Sequence, residues 1–184
     1  MELTTPRLKL REFTEADFPA LRDMDSQTEM HTFERLPPSE SETQETLQSA
    51  IKNQGENPRT TYKFAITIPP GISVRGLIKL TREWEAIRQW EVGWAIHPEE
   101  WGKGYATEAA WFVVDWAFNE LIVHRIVAYC NAANMASVRV MVKLGMQREG
   151  RLRETRWLNK QWCDEYVYAI LDREWNKKNH LTVF

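Results

Sequence analysis

PEEWGKGYATEA occupies residues 98–109, and its reading decides the fold. Before it, WEVGWAI at 90–96 alternates apolar and polar positions as a strand does, and His97-Pro98 closes that strand. After it, Ala106, Ala109, Ala110, Val113 and Ala117 recur at helical spacing and predict a long helix over 103–119. Gly102 and Gly104 thus stand between a strand end and a helix start. Glycines there let backbone N–H groups approach a ligand closely. The first helical N–H groups have no partner inside the helix, and the helix dipole adds to their pull on an anion. A pyrophosphate suits such a cradle, with Lys103 as a nearby positive charge. On the glycines alone, a plain turn before a helix reads equally well. Two other nucleotide motifs are excluded. GxxxxGK[ST] is absent, and GxGxxG fails at Thr107 with no acid closing the next strand.

Working outward, residues 7–13 (RLKLREF) read as a first strand, and Thr14 as the cap of a helix through Phe18, Leu21 and Met24. Ser39 and Glu42 form a capping-box pattern for a polar second helix at 40–54. Strands are expected at 62–68, 74–82 and 124–130, the last with the apolar look of a parallel partner. Asn134 opens a short helix that Gly145 stops. A closing strand at 162–171 and a short helix at 172–178 complete the chain. Glu108, Asp115 and Asn119 are expected to form the polar stripe of the long helix. This order gives an α/β fold: a mixed, mostly antiparallel sheet with one parallel crossover, in a single domain over residues 1–184.

Composition narrows the function. The chain is 43% hydrophobic and 27% charged, ordinary for a globular protein, with a net charge of −2. That charge argues against broad nucleic-acid binding. Cys130 and Cys163 are far apart and the four histidines are scattered, so no metal site is expected. The N-terminus lacks the signature of a signal peptide and no apolar run reaches membrane length, so a cytoplasmic location is expected. Nine tryptophans are unusual. Trp84, Trp90, Trp157 and Trp162 could form an aromatic wall at an acceptor pocket or a homodimer contact, or could simply pack.

Taken together, TPRLKLREF at 5–13, EVGWAI at 91–96, WGKGYATEA at 101–109, CNAANMASVRVMVKLGMQREG at 130–150 and LDREW at 171–175 resemble the GNAT superfamily of acetyltransferases, and within it the RimJ/RimL-type branch. The resemblance implies an acetyl-CoA-dependent transfer of an acetyl group to a primary amine. The acceptor would be a peptide N-terminus or a small molecule. A non-catalytic acetyl-CoA-binding module is the alternative, and turnover separates the two. The family signature Q/R-x-x-G-x-G/A corresponds to residues 101–106, with Trp101 in place of Gln or Arg. By resemblance, the N–H groups of Gly102, Lys103, Gly104, Tyr105, Ala106 and Thr107 hold the coenzyme A pyrophosphate. The family's splayed parallel strands imply that Trp94, Ala95 and Ile96 pair with the pantetheine arm, with a bulge expected at Gly93.

The same resemblance assigns catalysis. Asn134 matches the asparagine that contacts the pantetheine or acetyl region, and Ser137 the position that assists the departing thiolate. Both also read as helix-capping residues, and Asn131 as a turn residue. An ammonium must lose its proton before it can attack. Glu91, opening the strand toward the acetyl group, is the first candidate base, with Glu154 and Asp164 behind it. His97 reads as a turn residue. Cys130 ends the neighbouring strand, which makes an acetyl-cysteine route conceivable. The basic, aromatic segment 151–162 could suit an acidic or peptidic acceptor.

Overall fold

The computed structural model describes residues 1–34 and 36–175. Eight strands join one sheet: β1 (Glu2–Thr4), β2 (Lys9–Glu12), β3 (Thr61–Thr67), β4 (Val74–Trp84), β5 (Gln89–Ile96), β6 (Arg125–Asn131), β7 (Gln147–Leu158) and β8 (Gln161–Leu171). Their spatial order is β1-β2-β3-β4-β5-β6-β8-β7. Every neighbouring pair is antiparallel except β5 and β6. Four helices accompany the sheet: α1 (Phe18–Ser26), α2 (Glu40–Lys52), α3 (Tyr105–Glu120) and α4 (Met135–Lys143). The expected mixed sheet with one parallel crossover through α3 is therefore what forms.

Alternation along β3 shows how the helices divide. Phe64 and Ile66 join a core with α3 and α4 residues such as Ala110, Val113 and Met141. Ala65, between them, joins a second core with Leu21 and Met24 of α1 and Leu47 of α2. Adjacent strand residues point to opposite faces, so both faces are covered. The alanines and valines of α3 lie flat on the sheet: Ala109, Ala110, Val113, Val114 and Ala117 are all fully buried.

Local signals explain the helix ends. Ser39 and Glu42 make the reciprocal capping box that starts α2. The Thr14–Asp17 box instead opens a single 3-10 turn, with α1 beginning at Phe18. Gly145, at φ 76°, closes α4 with its N–H on the Val142 carbonyl, while the Met146 N–H reaches Met141.

Some expectations need correction. The first strand is shorter than 7–13, and a three-residue β1 precedes it, pairing Leu3 with Leu10. The segment after α4, for which the sequence suggests no element, is the long edge strand β7. Most of its residues are exposed on both faces, so no alternation marks it in the sequence. The helix expected at 172–178 is a 3-10 turn at Asp172–Glu174, and its remainder lies outside the described residues. Glu108 is not on a polar stripe; it is fully buried.

Candidate active site

The cradle is built as a backbone device. Gly102 and Gly104 have φ of 78° and 84°, a left-handed conformation that glycine adopts without strain. Gly104 is the N-cap of α3, which moves the helix start from 103 to Tyr105. The first intrahelical bond runs from the Glu108 N–H to the Gly104 carbonyl at 3.0 Å. The N–H groups of Tyr105, Ala106 and Thr107 thus precede the ladder and are available to a ligand. A Cβ added at Gly102 would meet nothing within 4 Å, so the space over this turn is open. Open amides at the N-terminus of a buried helix fit two linked phosphates.

A network that the sequence did not reveal holds the turn in place. Glu108 accepts hydrogen bonds from Thr5 Oγ1 (2.5 Å), from the Arg7 N–H (2.9 Å) and from Arg7 Nε (2.6 Å). Arg7 also donates through Nη1 to the Lys103 carbonyl at 2.9 Å, and its guanidinium lies 4.9 Å from the Tyr105 ring centre. The chain segment before β2 is thereby clamped to the cradle from beneath. Lys103 is paired with Glu100 at 2.7 Å, so part of its charge is already engaged. Lys103 and the Arg75 guanidinium hold the Glu100 carboxyl below its ordinary range, against the opposing pull of burial. Trp101 is half exposed, and its indole donates to the Ile96 carbonyl at 2.6 Å, tying strand end to cradle.

The parallel strands part where the thioester is needed. β5 and β6 pair at Gln89–Arg125, Trp90–Ile126 and Glu91–Val127, and no further. Beyond that, Val92 to Ile96 pair only with β4, while Ala128 to Asn131 pair only with β8. The backbone edge of Trp94 and Ala95 therefore faces a gap. The bulge expected at Gly93 is absent, because the β4–β5 register runs unbroken through Lys79–Gly93. The gap arises from divergence of the strands.

A groove of about 180 Å³ lies beside the split, lined by Glu34, Glu91, Val92, Gly93, Trp94, Tyr129, Ser137 and Arg156. It brings together Glu91, Trp94 and Ser137 from the sequence-derived set. Glu91 is partly exposed and 3.6 Å from Lys79 Nζ. Asn134 caps α4, its Oδ1 accepting the Ser137 N–H at 3.1 Å. Its oxygen is committed to the helix, and its amide nitrogen donates to none of the described residues.

Other candidates fall elsewhere. The Glu154 N–H and Arg151 both bind Asp164, which fixes an irregularity in the β7–β8 hairpin and holds the Asp164 carboxyl below its usual range. Neither acid lines the groove. His97 caps the short turn before the cradle, as expected, and is buried. Asn131 makes an Asx-type bond to the Ala133 N–H. Cys130 is 2% exposed, and burial, with Glu34 and Glu165 nearby, pushes its thiol up to about 11. That keeps it protonated at neutral pH, the unreactive form, and weighs against an acetyl-cysteine route.

The aromatic wall also dissolves. Trp90 packs into the core against Tyr62 at 5.9 Å. Trp157 and Trp162 pair edge to face at the β7–β8 tip, and Trp84 stands exposed at another hairpin. Of the tryptophans, Trp94 lines the groove.

Two charged lining residues were missed. Arg156 lies in a segment already noted as basic, but Glu34 sits in an irregular stretch with no motif around it. Arg156 Nη1 binds Glu34 Oε2 at 2.7 Å, and its Nε binds Glu165 Oε1 at 2.6 Å. Glu165 is held further by Thr155 Oγ1 at 2.9 Å.

A sheet split at one parallel pair beside an amide cradle has room for an extended, phosphate-bearing donor. The sequence profile of the acetyltransferase (GNAT) domain matches residues 7–147, and the chain belongs to that family. It is an N-acetyltransferase whose acetyl donor is acetyl-CoA. The uncharacterized N-acetyltransferase YnaD of Bacillus subtilis strain 168 is 34% identical over 176 residues, covering 96% of this chain and 100% of that protein. A crystal structure of a GNAT-family acetyltransferase from Bacillus anthracis superposes with a TM-score of 0.80 at 31% identity, covering 95% of this chain and 100% of that one. The likeness of fold extends to RimL, a ribosomal L7/L12 alpha-N-protein acetyltransferase solved with coenzyme A. Its TM-score is 0.83 at 18% identity, over 93% of this chain and 98% of that one.

Proposed function

We propose that this protein acetylates a primary amine by direct attack, with donor and acceptor bound together. The observation that carries this reading is the parting of β5 and β6 immediately after Glu91, with that carboxylate and Ser137 lining one groove beside the gap. When bound, acetyl-CoA supplies an activated acyl group on a good leaving group.

The chain's residues supply the rest. N–H groups from Gly102 to Thr107 hold the pyrophosphate, and the backbone of Trp94 and Ala95 pairs with the pantetheine arm. The Ile96 carbonyl is already bound by the Trp101 indole, so Ile96 contributes little to that pairing. Glu91 takes the proton from the ammonium, directly or through a water. The freed nitrogen lone pair would attack the acyl carbon as the C–S bond breaks, the sulfur keeping that bond's electron pair and taking up the second proton that the new amide nitrogen sheds. Ser137 offers that sulfur a hydrogen bond, and Asn134 orients the pantetheine through its amide nitrogen.

The acceptor is a peptide N-terminus or a small-molecule amine, and a cytoplasmic location suits both the donor and two unpaired cysteines. A thiol-release assay over peptides, polyamines, aminoglycosides and amino acids tests the reading. Coenzyme release with at least one amine supports it; tight cofactor binding without turnover on any of them argues for a binding module instead.

A further inference from the structure

The groove's charges point to what it accepts. Its charged lining consists of two carboxylates, Glu34 and Glu91, and one guanidinium, Arg156. That guanidinium is shared between Glu34 and a third carboxylate, Glu165. Those bonds use two of its five N–H donors. Glu34, Glu91 and Glu165 outnumber that one cation, so the surroundings stay net negative although the segment is basic in sequence.

Glu34 is the more available acid of that pair. Its side chain is 45% exposed, against 11% for Glu165, which Thr155 also anchors. Desolvation by the surrounding groove pushes the Glu34 carboxyl up, its exposure tempering the rise. Arg156 pulls it down, and Glu165 and Glu91 push it up again. Such a carboxylate gains from a second positive partner. Glu91, at the last point where β5 and β6 touch, lines the same groove.

We propose that Glu34 is the acceptor-binding carboxylate of this enzyme, and that the groove takes amines that arrive as cations with no carboxylate within a few bonds of the reacting nitrogen. The inference rests on the acetyl-transfer reading given above and narrows its acceptor class. Glu34 receives the ammonium in the groove it shares with Glu91, while Arg156 and Glu165 act as positioning residues that hold Glu34 there. An amino acid would carry its own carboxylate into a lining whose charge is already negative. Its amide, or a diamine of equal length, would not.

Matched acceptors test this: glycinamide against glycine, and 1,4-diaminobutane against 4-aminobutanoate. Each is titrated calorimetrically into the coenzyme A-loaded protein and assayed separately for thiol release. The carboxylate-free member of each pair should bind at least about tenfold tighter, roughly 1.4 kcal/mol. Glu34→Gln should remove most of that preference by raising KM more than it lowers kcat. Its coenzyme A affinity and melting temperature should stay unchanged, which excludes misfolding. Equal binding within both pairs, no binding by any of the four, or an intact preference in Glu34→Gln overturns the inference. Binding with the expected preference but no thiol release would instead break the acetyl-transfer reading and leave the acceptor class standing.

Discussion

The two ends of the proposed active site are made of different material. The proposed cofactor end is backbone: open amides on a twelve-residue stretch, shaped by two left-handed glycines and the start of one helix. The proposed acceptor end is side chains: Glu34 from the connection after α1, Glu91 from β5, Tyr129 from β6, Ser137 from α4 and Arg156 from β7. Recognition by backbone is local in sequence and indifferent to side-chain identity, so on the proposed reading Trp101 can stand where the family has Gln or Arg. Recognition by side chains is assembled across the chain, so it can vary with each acceptor while the cradle stays the same.

Mutations can break this contrast. Gly102→Val forces a β-branched residue into φ 78° and fills the open space over the turn. Coenzyme A affinity should fall by at least about a thousandfold, roughly 4 kcal/mol, in a calorimetric titration. Retained affinity would mean that the amides do not hold the phosphates. At the other end, Glu91→Gln should lower kcat near neutral pH by about a hundredfold with coenzyme A affinity unchanged. Glu154→Gln and Asp164→Asn should stay close to wild type, and equal losses in all three would dismiss Glu91 as the base.

Smaller changes sharpen the picture. Arg7→Ala removes the charge partner of a fully buried carboxylate and should cost about 2–3 kcal/mol in denaturant unfolding. The figure sits below that of a wholly buried pair because Arg7 is 43% exposed. Lys103→Met should weaken coenzyme A binding by only about 1 kcal/mol, because the ammonium is already paired with Glu100. A larger loss would show that the cradle relies on a side chain after all.

The least effect concerns acid. Asp17 lies below its usual carboxylate range; burial would raise it, but the hydrogen bonds from Arg11 and from the Thr14 N–H outweigh that. A carboxylate lowered in the folded state stabilises at pH above its unfolded value, and that contribution fades as pH drops toward the folded one. Melting temperature should therefore decline as pH falls below about 4, the ordinary aspartate value. Arg11→Met should flatten that decline, and an unchanged slope would remove the pair from the acid response.

Most of the fold, and the open glycine turn proposed to hold the cofactor, could be read from the sequence because their signals are short-range. The Ser39–Glu42 box, the alanine stripe of α3 and the Gly102–Gly104 turn each lie within one or two turns of chain. β7 could not be read, since an edge strand exposed on both faces has no alternation to show. Glu108 was misplaced because a carboxylate at helical spacing looks solvated until its partners appear, and Thr5 and Arg7 lie about a hundred residues upstream. Glu34 reaches Arg156 across 122 residues, a pairing that no local pattern encodes.

The three-residue seam between β5 and β6 leaves the sheet as two plates, five strands on one side and three on the other. Beneath it, α3 packs on β5, α4 packs on β6, and the two helices touch each other. A ligand lying along the open part would act as mortar. Saturation at about a hundred times Kd should add about 2.7 kcal/mol to the folded state. The amides flanking the seam should be where slowed hydrogen exchange reports it first.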